Sequence, residues 1–158
     1  MSNPTLPLDP ARALDVWRTY TRRLLALSVL SIALAWPIAR MNVSVDGRDP
    51  FYVALAWQFA IWGAIDLIFA LSGEVGLRRV GRMSESERDA EVMRRREKIL
   101  GALRFNRWLN AVWVATGIAL LVWGYRSWSP SLVGHGVGVV VQAFGLVIFD
   151  RAFHRALR

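Results

Sequence analysis

The chain has 158 residues, 54% of them hydrophobic, and a formal net charge of +8: one domain's worth of an apolar yet basic protein. It contains no cysteine, which excludes a disulfide, a thiolate metal site and a thiol nucleophile. Nineteen of its twenty basic residues are arginine, Lys98 being the exception, and they lie in blocks beside hydrophobic runs. That placement favours anionic lipid headgroups over nucleic acid as partner, and the arginine bias points to a GC-rich bacterial genome.

Residues 1–8 carry Pro4 and Pro7 and read as disordered. Asp9-Pro10 then reads as an N-cap with proline at the first helical position, opening an amphipathic stretch through Arg23. The first span, 24–39, is short and gains length if that helix feeds into it; Pro37 should kink or end it. Arg22-Arg23 before an apolar run and Ala33-x-Ala35 resembles a twin-arginine export signal, but three more spans follow, so the arginines read as anchors of a membrane helix. The link 40–50 has no net charge and holds Asn42-Val43-Ser44, a glycosylation sequon that matters only in a eukaryotic secretory pathway.

The second span, 51–72, has Asp66 as its only charge and is long enough to cross a hydrocarbon core of roughly 30 Å. Beyond it lies a polar block in which Ser84-x-x-Glu87 is a capping box and Glu91 and Arg95 form an i,i+4 ion pair. The helix opened there, 84–104, continues without proline into the third span, 105–125, with Gly101 as a candidate break. A polar turn with Pro130 leads into the glycine-rich fourth span, 132–149, and a basic tail. The fold class is therefore all-α, a polytopic four-helix membrane bundle in one transmembrane domain.

Orientation follows from the basic residues. Four lie in the N-terminal segment, ten in the middle block through Arg107 and three in the tail, against two (Arg40, Arg48) and one (Arg126) in the opposite links. Seventeen against three places both chain ends and the middle block in the cytoplasm of a bacterial inner membrane. The halves echo each other. Gln58 and Asp66 recur as Gln142 and Asp150, eighty-four residues on, while Arg18 and Ile32-Ala33-Leu34 recur eighty-six residues on as Arg104 and Ile118-Ala119-Leu120. Both halves run the same way, so the echo reads as a candidate parallel duplication of a two-helix unit.

Asp66 is the first candidate for function, because a carboxylate inside a bilayer is costly and seeks a partner. At 1.5 Å per residue it lies about 20 Å from the outer end of its helix, at the level reached by Asn106 and Asn110. The expected contact is a hydrogen bond between Asp66 and Asn110, with Arg107 in electrostatic reach and Arg22 as another ion-pair candidate. Gln58 and Gln142 read as interhelical bonds near the midplane, His135 as an outer-interface residue and Asp150 as the cytoplasmic edge of its span. The polar groups should thus form a cytoplasm-facing cluster, not a line from end to end.

Trp17, Trp36, Trp108, Trp123 and Trp128 suit interfacial belts, leaving Trp62 and Trp113 as deeper packing residues. Gly138, Gln142, Gly145 and Phe149 recur on one helix face with His135, as a seam for close backbone approach. A haem would need paired histidines, and His135 and His154 are nearly 30 Å apart along one helix direction, so no cofactor is expected. No nucleotide loop, catalytic triad order or zinc spacing occurs, and the expectation is a non-enzymatic protein without catalytic or metal residues. The expected function is a structural or interaction module with a protein partner, in which Asp66 satisfies a structural contact; the alternative is a small ion- or proton-coupled transporter acting through Asp66 as a homodimer.

The pattern Asn106-x2-Leu109-Asn110-x2-Trp113-x3-Gly117 and the run GHGVGVVVQAFGLVIFD, 134–150, resemble a family of uncharacterised small four-span bacterial membrane proteins, a domain of unknown function. Trp57 and the Trp62-Gly63-x2-Asp66 group look similar to that family's second span. The resemblance runs from Phe51 onward and implies a fold without a function. It also implies that Asp commonly stands at the position of Asn110 and Asn at that of Asp66, an exchange that suits side chains that meet.

Overall fold

The computed structural model describes residues 9–44 and 47–157, with Ser44 described by its backbone alone. The disorder expected of residues 1–8, and the charges of Asp46 and Arg158, lie outside the described residues. Four helices make the fold: α1 (Pro10–Ala39), α2 (Pro50–Val80), α3 (Glu85–Arg126) and α4 (Pro130–Ala156). All four are long and apolar enough to cross a membrane, the pattern of a multi-pass membrane protein.

Local chemistry sets the helix starts. Asp9, Asp49 and Ser129 each precede a proline at the first helical position, and their side chains accept backbone N–H groups of Ala11, Phe51 and Leu132. α3 opens on Ser84, whose backbone N–H and hydroxyl both donate to Glu87 Oε2, at 3.2 and 2.6 Å. The helix then runs unbroken through Gly101, where nothing lies within 4 Å of an added Cβ. Pro37 is accommodated inside α1, which ends two residues later. The link after it contains a two-stranded antiparallel hairpin, β1 (Val43–Ser44) and β2 (Gly47–Arg48), which the sequence pattern had not announced. Asn42 Nδ2 donates to Asp49 Oδ2 at 2.9 Å across its base.

Going around the bundle the order is α1, α2, α4, α3, so α2 and α3 face each other across a diagonal. α1 and α3 run one way, α2 and α4 the other. One end of the bundle holds the hairpin and the turn after α3; the other, rich in arginine, is called the basic end below.

The two ends of the molecule are packed by different means. At the basic end Ala13, Trp17, Val80, Val92, Leu103, Phe153 and Leu157 form a core of buried apolar side chains drawn from all four helices. Trp17 is buried there, not spread at an interface as its position beside a span had suggested. It stacks under the Arg95 guanidinium, 4.9 Å from the ring centroid, and Gly76 leaves room for its ring. Through the apolar stretch the contacts are made by small residues: Ala54, Gly63, Ala70, Gly117, Gly134, Gly136 and Gly138 are buried, while Leu30, Ile68, Phe69, Val112 and Phe144 point outward. Trp36, Trp108, Trp123 and Trp128 are exposed, as a belt requires.

Burial also gives the register of the internal repeat. In α2 and α4 it coincides at an offset of eighty: Pro50 and Pro130 both open their helices, and Ala54, Ala56, Gly63 and Ala70 are buried where Gly134, Gly136, Ala143 and Asp150 are. In α1 and α3 the offset is eighty-six, pairing buried Trp17 and Leu24 with Leu103 and Asn110. The difference is taken up by the first link, lengthened by the hairpin. Residues eighty apart touch across the α2–α4 seam, since a Cβ on Gly138 would run into Gln58 and one on Gly134 would meet Ala54. The halves are thus related about an axis between α2 and α4. The Gln/Asp echo at eighty-four is one helical turn out of that register.

Candidate functional site

The polar residues that the sequence singled out gather along the α2–α4 seam, and the offset just described decides how. Measured from the first residue of each helix at 1.5 Å per residue, Asp66 lies about 24 Å down α2 and Asp150 about 30 Å down α4. They are not symmetry mates but neighbours one turn apart on parallel, touching helices. Asp150 is buried; Asp66 is half-buried.

The expected bond between Asp66 and Asn110 is absent. Asn110 Nδ2 instead donates to Asp150 Oδ2 at 3.4 Å, and Asn106 lies close enough to Asp150 to act on it electrostatically. The reason is lateral placement: α3 is the antiparallel neighbour of α4 and stands diagonal to α2, so the two asparagines reach the carboxylate of the nearer helix. Arg107 lines a groove on the α3–α4 face with Asp150, and Arg22 is exposed. Neither pairs with Asp66. Among the described residues no hydrogen bond or ion pair reaches Asp66; its electrostatic neighbours are Asp150 and Tyr20, themselves acidic groups. Tyr20 is held by ring contacts to Phe149 and Phe153, with centroids at 4.8 and 3.8 Å.

Toward the hairpin end a second group is fully bonded. Trp62 Nε1 donates to Gln58 Oε1 at 3.1 Å, and Gln58 Nε2 lies 2.8 Å from His135 Nδ1. An indole N–H can only donate, which fixes the Gln58 amide with its oxygen toward Trp62; its NH2 then donates to His135 Nδ1, leaving the histidine proton on Nε2. Between the two groups Gln142 Nε2 donates to Ser31 Oγ at 3.2 Å, and Ser31 Oγ donates to the Phe59 carbonyl at 2.9 Å. Gln58 and Gln142 both serve as interhelical links. Polar side chains therefore recur about every turn from His135 to Asp150, a line along the seam and not only a cluster at one end. No sequence spacing showed this, because its members come from α1, α2 and α4 and only the bundle order brings them together.

Trp62 and Trp113 meet edge to face across the diagonal, with ring centroids 5.1 Å apart, and close the centre between α2 and α3. The glycine seam differs in part from its expected form. Gly134 and Gly138 abut α2 and Gly136 abuts α3, whereas a Cβ added at Gly145 would meet nothing within 4 Å, since the buried stripe passes from Gly138 through Ala143 to Asp150. Among the described residues no three of His, Cys, Asp and Glu converge as a metal site would need.

A family model matches residues 23–151, and the chain belongs to that family, described as a family of unknown function (DUF6992). The match reaches further toward the N-terminus than the motif resemblance from Phe51 onward. No curated protein and no solved structure matches the chain.

Proposed function

We propose that this protein moves protons across a membrane, alone or coupled to a solute, through the neighbouring carboxylates of Asp66 and Asp150. One observation carries the reading: Asp66 lacks any hydrogen-bond or ion-pair partner among the described residues, and its electrostatic neighbour across the seam is a second carboxylate, Asp150. Two like charges in a low-dielectric seam are relieved when one of them takes up a proton, and ionisable side chains inside a membrane commonly mark proton pathways. Asn106 and Asn110 steady Asp150, Tyr20 offers a hydroxyl beside the pair, and the line through Gln142, Gln58 and His135 leads toward the other face.

The bias of basic residues assigns the basic end to the cytoplasm of a bacterial inner membrane, so the carboxylates open to the cytoplasmic side. A bundle of four helices leaves little width for a solute, which favours a homodimer. Asp66 would be explained as purely structural had it found Asn110 or an arginine, and without such a partner the transport reading is the stronger. The alternative, a non-enzymatic interaction module, draws on the close glycine packing of α2 on α4 and on the charged start of α3 as a surface for a protein partner; a stoichiometric partner in a pull-down would support it.

Proteoliposomes with an entrapped pH-sensitive dye test the proposal. A membrane potential should drive proton flux through the purified protein, Asp66→Asn should abolish it, and Asp150→Asn should do the same or nearly so. Flux unchanged in Asp66→Asn would overturn it.

A further inference from the structure

The α3–α4 face at the basic end carries a groove of about 720 Å³ that borders Asp150 on the side away from α2. Arg107, Arg151 and Arg155 line it, Asp150 and Asn110 also contribute to its lining, and Ala111, Val114 and Val147 form its end toward the bilayer centre. The three arginines are exposed, and none has a hydrogen-bond, ion-pair or ring partner among the described residues. They differ in this from the arginines on the first turns of α3: Arg88 lies beside Glu85 and Asp89, Arg94 and Arg95 share Glu91, and Arg96 Nε donates to the Leu157 carbonyl at 2.9 Å. Three guanidinium groups against one carboxylate, itself engaged by Asn110, leave a surplus of positive charge in a concave site.

We propose that this groove binds the phosphate of an anionic glycerophospholipid from the leaflet at the basic end, with the start of an acyl chain lying along Val114 and Val147. Guanidinium forks match phosphate oxygens, and a site of this volume takes a headgroup with its glycerol. The level also fits: Arg107, Arg151 and Arg155 lie where α3 enters and α4 leaves the apolar stretch, at headgroup depth, while the valines lie one to two turns further in. A free phosphate would use the arginines but not the apolar end, so the lipid is the occupant the groove suits as a whole. The inference does not rest on proton transport, since its readout is lipid retention.

The test is binding of fluorescent phosphatidylglycerol and phosphatidylcholine to the purified full-length protein in a neutral detergent, with inorganic phosphate as competitor. Phosphatidylglycerol should bind and phosphatidylcholine should not. Arg107→Gln/Arg151→Gln/Arg155→Gln should weaken binding on the order of a hundredfold, the loss expected for three basic contacts to an anionic headgroup. Arg22→Gln/Arg23→Gln, which removes charge outside the groove, should leave it within about threefold, as exposed charges act weakly beyond a screening length. Ala111→Trp, which fills the apolar end and keeps every charge, should also displace the lipid and serves where the triple variant does not stay monodisperse. The proposal is overturned by equal binding of phosphatidylcholine, by displacement of the lipid with millimolar phosphate, or by equal losses in the two arginine variants.

Discussion

At the scale of single residues, Asn110 discriminates between the pairing expected from sequence and the one found. Replacing it with leucine should cost about 1 kcal/mol, the usual size of an interhelical polar bond in a membrane. In double-mutant cycles of unfolding in detergent, Asn110→Leu should couple to Asp150→Leu and show no coupling to Asp66→Leu. Coupling to Asp66 instead would mean that the bundle order is wrong at its centre. Depth was legible in the sequence because helical rise is fixed: Trp62 and Trp113, read as the two deeper tryptophans, do pack against each other. Which helix stands beside which was not legible. That depends on where small residues let backbones approach, and a helix four turns away in sequence pattern looks the same whether adjacent or diagonal. The exchange of Asp and Asn between positions 66 and 110, implied by the family resemblance, was therefore read as contact. In the structure both residues border Asp150, one by charge and the other by a hydrogen bond, so a change at either alters the same carboxylate.

Among the elements, the α2–α4 seam and the start of α3 obey different physics. A methyl group on Gly134 would run into the Phe51 carbonyl, a backbone atom that cannot swing aside, so Gly134→Ala should destabilise by about 1–3 kcal/mol as overpacking does. Gly101, where an added Cβ would meet nothing within 4 Å, should behave oppositely: alanine there should stabilise by about 0.5–1 kcal/mol through helix propensity. Unfolding of the two variants, measured side by side, checks both signs. The start of α3 responds to pH. Hydrogen bonds from Arg95 and Arg94 hold the Glu91 carboxyl below its ordinary value, and bonds from Ser84 do the same for Glu87. A carboxylate with a lowered folded-state pKa contributes stability above its unfolded value, near 4.3, and loses it as pH falls through the folded one. Hydrogen exchange along the first turns of α3 should accordingly quicken as pH falls below about 4, relative to the same protein with Glu91→Gln, in which the Glu91 part of the change is absent. Both the capping box and the ion pair stood plainly in the sequence, since i,i+3 and i,i+4 spacings are local. The hairpin of the first link was hidden because two-residue strands carry no periodicity, and Gly145 was misplaced because the buried stripe drifts around α4.

For the whole molecule, the division of labour between large and small side chains implies an environment for each end. Large apolar groups pack together where water drives them to, at the basic end; small ones pack where lipid offers no such drive. Trp17→Ala should therefore destabilise by about 3–5 kcal/mol, the cost of a large truncation in a water-facing core, although the residue lies outside the spans. Reporter domains inserted in the 40–49 link should be active outside the cytoplasm and those in the 81–84 turn inside it, and the reverse would invert the orientation. The two-helix repeat leads to a stricter test. Each half is an antiparallel helix pair, and between them the chain crosses only at Gly81–Ser84, exposed residues apart from Met83, which packs against the basic-end core. What joins the halves is the α2–α4 seam and the shared basic-end core, in which Phe153 and Leu157 of the second half meet Ala13, Trp17 and Val80 of the first. A chain severed between Arg82 and Met83, its pieces co-expressed, should consequently reassemble, and a tag on one piece should recover the other in equal amount. Gly134→Leu in the second piece should abolish that recovery by forcing α4 off α2, while Gly145→Leu, on an unpacked face, should not. Pieces that never associate, or that associate equally well with Gly134→Leu, would show that the axis between α2 and α4 is not what holds the molecule together.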